Sequence, residues 1–89
     1  MDTKKAFGKA LRKMRKEKGL TQEDFSETSS RTYLSTLERG VKSPTLEKID
    51  QISGQLKVHP LALLIATYQE KEGLSGQETL SLVQQLIQE

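Results

Sequence analysis

Apolar residues recur every three or four positions along this chain, and Gly, Pro and capping hydroxyls cut that rhythm into about six helical pieces without an alternating strand pattern. The first piece is expected from about Thr3 to Lys18, where Phe7, Ala10, Leu11 and Met14 fall at offsets 0, 3, 4 and 7 and form one apolar stripe. Lys9, Arg12, Lys13 and Lys16 occupy its other faces, and Gly19 stands where a left-handed residue would end it. The second piece opens with Thr21-Gln22-Glu23-Asp24, a hydroxyl N-cap followed by acids. It is expected to last two turns, because Thr28-Ser29-Ser30 favours a corner over a helix interior. The third runs from about Ser30 to Arg39, burying Leu34 and Leu37, and Gly40 ends it.

The loop Val41-Lys42-Ser43-Pro44 leads to Thr45 as the next cap, and Leu46, Ile49, Ile52 and Leu56 make the fourth apolar face. His59-Pro60 opens the fifth piece, with His59 as N-cap, Pro60 at the first helical position and a stripe of Leu61, Leu64, Ile65 and Tyr68. Gly73-Leu74-Ser75-Gly76 reads as a hinge, after which Ser75 and Glu78 have capping-box spacing. Leu80, Val83 and Ile87, widened by Leu82 and Leu86, give the last helix a face that needs cover, from the bundle or from a second copy.

Length and composition narrow the picture. Eighty-nine residues suit one modest core, and without cysteine neither a disulfide nor a thiolate metal site can brace it. No run approaches the roughly 18 apolar residues of a membrane span, and no apolar stretch follows the N-terminal lysines, so neither a span nor a signal peptide is expected. The net charge of +2 is unevenly spread: residues 1–20 carry eight bases and two acids, residues 21–60 five and six, and residues 61–89 one and four. A basic head and an acidic tail suit a head that faces a polyanion and a tail that faces protein, although lysines can equally serve to solvate one helix. Enzyme readings fail on inventory. The single histidine has no metal-ligating partner, there is no Gly-rich phosphate loop or nucleophile–base spacing, and the carboxylates alternate with bases along helices. No cofactor and no metal are expected.

The segments LRKMRKEKGLTQEDF, YLSTLERGVKSPTLEKIDQI and LKVHPLALL, in that order, resemble the phage repressor and Cro-like helix-turn-helix family, the XRE-like regulators. The resemblance covers Leu11 to Leu64 and rests on the ordered series Arg, Gly-Leu-Thr-Gln, Glu-Arg-Gly and Pro-Thr-Leu. It implies an all-α, five-helix repressor-like DNA-binding bundle, here with an extra C-terminal amphipathic helix. The third helix of such a bundle enters the major groove while the second crosses the backbone. By residue, Arg15 and Glu38 match a partly buried salt bridge that ties the first helix to the third. Arg31 and Thr32 match the first base-reading positions. Arg31 can donate twice to guanine O6 and N7, and Thr32 can offer a hydroxyl or a methyl. Ser35 and Thr36, one turn on, reach the groove wall or a second base. Thr21, Gln22, Ser30, Tyr33, Arg39, Lys42 and Ser43 are the expected phosphate contacts, with Tyr33 alternatively packing over the corner. Lys4, Lys5 and Lys9 would add a diffuse, salt-sensitive attraction.

Two departures stand out. The span from Gln22 to Glu38 is two residues shorter than the family pattern, and the missing pair includes the corner glycine and the apolar plug after it. Thr28, Ser29 and Ser30 are expected to cap the tightened corner and Tyr33 to fill part of the vacated space. Lys57 stands where a helix-ending glycine is common.

The resulting expectation is a helix-turn-helix domain over residues 1–72 and a dimerisation helix over 73–89, anchored by Leu80, Val83, Leu86 and Ile87. The chain would act in the cytoplasm as a homodimeric transcriptional regulator, a repressor reading double-stranded operator DNA. The rival expectation is a protein-interaction module, such as an antitoxin or polymerase-binding regulator, whose corner no longer permits DNA reading.

Overall fold

The computed structural model describes residues 1–27 and 30–87. Asp2 begins the first helix by accepting the Lys5 N–H on its Oδ1 at 2.8 Å, and α1 then runs Thr3–Glu17. It closes through Gly19, at φ +70°, and a Leu20 N–H that reaches back to the Arg15 carbonyl at 3.0 Å. Its stripe goes inward: Phe7, Ala10 and Leu11 are buried and Met14 is half-buried against the core.

The second element is a correction. Gln22–Phe25 forms a single 3-10 turn, not a two-turn helix. Its capping signals stabilise a chain start whether the bonds that follow close over three residues or four, and the turn ends where Phe25 enters the core. Phe25 is fully buried, whereas Tyr33 is only half-buried and packs on the core's edge, so the large apolar side chain sealed beside the corner is Phe25. Thr28 and Ser29, expected as corner caps, lie outside the described residues, as do residues 88 and 89.

Ser30 starts α2, Arg31–Glu38, by accepting the Tyr33 N–H on its hydroxyl at 3.0 Å, and Arg39 is the residue after its last turn. Leu34 and Leu37 seat this short helix in the core. At eight residues α2 would be marginal in isolation, so packing holds it. At Gly8 the approach of α1 to α2 is backbone on backbone. A Cβ at Gly8 of α1 would clash with the carbonyl oxygen of Leu37 and lie 2.6 Å from that of Glu38.

Thr45 caps α3, Leu46–Leu56, with its hydroxyl on the Lys48 N–H at 3.1 Å. Ile49, Ile52 and Leu56 are buried, but Leu46, expected on the same face, is 78% exposed. A residue at the first helical position points over the turn before it, and here that turn is open to solvent. Lys57 takes up the left-handed conformation itself, at φ 60° and ψ 41°, so the helix ends as a glycine would end it.

His59 Nδ1 accepts the Leu61 N–H at 3.1 Å and starts α4, Pro60–Glu72. The buried face of α4 is rotated from the expected stripe: Leu63 and Thr67 are inside and Leu64 is half-buried against the core, while Leu61 and Tyr68 are exposed. Thr67 is tolerated there because its hydroxyl donates to the Leu63 carbonyl at 2.9 Å. Helix α4 packs on α1, α3 and α5. Gly73 closes it, and the reciprocal box of Ser75 and Glu78 opens α5, Gly76–Leu86. Only Thr79 of α5 is buried. Among the described residues the architecture is five α-helices and one 3-10 turn around a single core of Phe7, Leu11, Phe25, Leu34, Leu37, Ile49, Ile52, Leu56 and Leu63.

Candidate nucleic-acid interface

Helix α2 has two unlike sides. Inward, Glu38 receives a fork from Arg15 of α1: Nε donates to Oε2 at 2.6 Å and Nη2 to Oε1 at 2.9 Å. The remaining terminal nitrogen, Nη1, donates to the Leu20 carbonyl at 2.8 Å, so each guanidinium nitrogen makes a bond and the group joins α1 to both α2 and the chain leading to the turn. The hydrogen-bonded Glu38 carboxylate holds the Arg15 pKa above its ordinary value, against the opposing effect of burial. Gln22 of the 3-10 turn adds its amide, Nε2 donating to Glu38 Oε1 at 3.2 Å. One hydrogen of that amide is thereby directed inward and one stays available to a ligand.

Outward, Arg31 and Thr32 form the exposed first turn of α2. Ser35 and Thr36 follow one turn later and are half-buried. The Thr36 hydroxyl donates to the Tyr33 carbonyl at 2.6 Å, which leaves its methyl and a lone pair for any ligand. Arg31 is not isolated: its Nη1 donates to Glu23 Oε1 of the turn at 3.1 Å.

The residues expected on phosphates lie in the turn before α2, on α2 and in the loop after it, and Ser43 lines a separate hollow with Lys4, Phe7 and Tyr68. Thr21 commits both its N–H, at 2.7 Å, and its hydroxyl, at 3.1 Å, to Asp24 Oδ2. Ser30 is exposed at the start of α2, Arg39 is exposed at its end, and Lys42 and Ser43 are exposed in the following loop. The half-buried Tyr33 ring carries the Lys48 ammonium 5.5 Å from its centroid. Gln22, Ser35 and Arg39 line one open hollow together with Arg12, Arg15 and Glu38. Of the basic residues on α1, Lys4 and Lys5 are exposed, whereas Lys9 and Lys13 bind Glu70 of α4 at 3.3 and 2.8 Å. These two lysines hold the Glu70 carboxyl below its ordinary pKa.

Leu80, Val83, Leu86 and Ile87 form a separate group, all exposed, on α5 and just past its end. Two residues near the α2 surface were not singled out from the sequence. Glu23 pairs with Arg31 from eight positions away across the corner, beyond any helical spacing rule. Arg12, one turn before Arg15 on α1, could have been found from that spacing once Arg15 was placed.

A short helix braced from behind, preceded by a turn and presenting an arginine and hydroxyls to solvent, is the geometry of a helix-turn-helix unit. The model of the Helix-turn-helix (HTH_3) family matches residues 11–63. An HTH-type transcriptional regulator of Sinorhizobium fredii (strain NGR234), y4dJ, described as uncharacterized, is 39% identical over 69 residues, covering 75% of this chain and 90% of that protein. Two crystal structures of the clp gene regulator ClgR from Corynebacterium glutamicum are also similar. One superposes with a TM-score of 0.71 at 33% identity, covering 76% of this chain and 91% of that one. The other reaches 0.77 at 31% identity, covering 97% and 94%. This chain belongs to the helix-turn-helix family of XRE-like transcriptional regulators.

Proposed function

We propose that the chain is a sequence-specific DNA-binding repressor that acts as a homodimer in the cytoplasm and inserts α2 into the major groove. One observation carries this reading: the first turn of α2 offers Arg31 and Thr32 to solvent while Arg15 and Glu38 lock the back of the same helix. In this mode Arg31 donates bidentately to guanine, Thr32 meets a neighbouring base, and Ser35 and Thr36 approach the groove wall. Thr21, Gln22, Ser30, Tyr33, Arg39, Lys42 and Ser43 set the register on phosphates. Two copies related by a two-fold axis would read half-sites roughly 34–36 Å apart, and occupancy across a promoter would exclude polymerase. The dimer contact is assigned to Leu80, Val83, Leu86 and Ile87, since a two-fold interface needs one self-complementary patch and these side chains are exposed together.

Selection from a random duplex pool is the decisive experiment. An enriched, roughly two-fold motif whose preference relaxes at one base pair in Arg31→Ala is expected. If Arg31→Ala instead weakens all duplexes uniformly, Arg31 contacts phosphate only. Light scattering on Leu86→Glu/Ile87→Glu tests the dimer: a variant as dimeric as the parent removes α5 from the interface. A second reading draws on the same exposed apolar face, with α5 holding a protein partner and α2 reading no DNA. A pool that yields no motif favours it.

A further inference from the structure

Glu23 is an acid placed where the family geometry expects a polyanion. It follows Gln22 in the turn that crosses the DNA backbone, and its neighbour Asp24 is already occupied by Thr21. A free carboxylate there would repel phosphate. Glu23 is not free: it holds Arg31, the residue assigned to guanine, through Nη1 alone at 3.1 Å. A guanidinium has a second edge, formed by Nε and Nη2, which lies away from Nη1 and carries the two parallel donors that match guanine O6 and N7.

We propose that Glu23 is a specificity-determining residue, a carboxylate that orients Arg31 for guanine and makes its use on phosphate unfavourable. The proposal rests on the reading of α2 as the base-reading helix. With guanine, Arg31 presents its Nε–Nη2 edge and keeps the bond to Glu23, so both charges remain paired. With a phosphate, Arg31 leaves Glu23, and the abandoned carboxylate then sits unpaired beside the backbone. The pair therefore subtracts little from binding at the correct base pair and more from binding everywhere else, which is discrimination by a repulsive element. Both partners are well exposed, with side chains 68% and 74% accessible, so the effect is a modest factor in affinity and not an on–off switch.

The test compares the wild type with Glu23→Gln by fluorescence anisotropy, on the duplex selected from the random pool and on a scrambled duplex, over a salt series. Glu23→Gln is expected to bind scrambled duplex about three-fold tighter, in keeping with an exposed ion pair, and to gain little or nothing on the selected site. The ratio of the two affinities should fall, and the salt dependence on scrambled duplex should steepen by about one phosphate contact. The same substitution in an Arg31→Ala background should leave the ratio unmoved. An unchanged ratio in Glu23→Gln would overturn the proposal. So would an equal fall in the Arg31→Ala background, because Glu23 would then act through its charge without Arg31. A wild type that selects no motif at all would overturn the base-reading assignment as well, an outcome separable from the other two.

Discussion

Replacing Glu38 by alanine should do more damage than removing the whole ion pair. Arg15 makes three hydrogen bonds, and Glu38→Ala leaves it only the one to the Leu20 carbonyl. Its side chain is 10% accessible and cannot swing freely into water. Breaking a buried pair from one side costs about 3–5 kcal/mol. The open hollow beside Gln22 and Ser35 admits some water, so the lower end, about 3 kcal/mol, applies. A domain of this size is stable by roughly 4–13 kcal/mol in total, and the loss should lower Tm by about 15–20 °C. The double variant Arg15→Met/Glu38→Leu removes both charges and fills similar volume, and it should stay within about 1 kcal/mol of the parent. Urea unfolding followed by circular dichroism measures both, with m compared between variants so that a changed denatured state is not mistaken for lost stability. A single variant that loses less than about 1 kcal/mol, or a double variant worse than Glu38→Ala, would refute the buried-brace account.

Three further outcomes are expected. Lys57→Gly should raise Tm by a few degrees, because Lys57 holds φ 60° at a position where a side chain costs about 1 kcal/mol; an unchanged or lower Tm counts against strain there. Ser30→Ala should cost about 1 kcal/mol of stability by uncapping α2, while Ser30→Asp keeps the cap and the Tm. If the hydroxyl also faces phosphate, Ser30→Asp should nevertheless lose duplex affinity, and retained affinity would exclude that contact. Glu70, held below its reference pKa of 4.5 by Lys13 and Lys9, contributes stability that is present above that value and disappears as pH falls through its lower folded value. An NMR titration should place it below 4.5, and Glu70→Gln should flatten that part of the acid limb; a normal pKa would show that the clasp does not form in solution.

Features governed by near neighbours could be read from the chain. The caps at Ser30, Thr45, His59 and Ser75, and the helix ends at Gly19 and Gly40, need only a few adjacent residues, whereas Gly73, read as part of a hinge, is a left-handed helix end. The inward faces of α1 and α2 are equally plain, because charges on α1 and mainly hydroxyls on α2 leave one apolar stripe each. Helix α4 defeated the same reasoning. Its sequence LALLIATY is apolar nearly all round, so periodicity cannot choose a face, and packing against α1, α3 and α5 chose Leu63 and Thr67. Spacing also could not separate a 3-10 turn from a short helix at Gln22–Phe25. Arg31, Thr32, Ser35 and Thr36 could be placed one turn apart on α2 from helical spacing, but the Glu23–Arg31 pair crosses a corner and depends on tertiary geometry.

The contact at Gly8 has a consequence beyond packing. Because α1 meets the end of α2 with no side chain between them, one added methyl forces the two backbones apart. Such a change would keep the identity of every outward residue of α2 and alter how far all of them project from the fold. If α2 reads DNA as proposed, Gly8→Ala should therefore change duplex affinity from a position on the inner side of the fold.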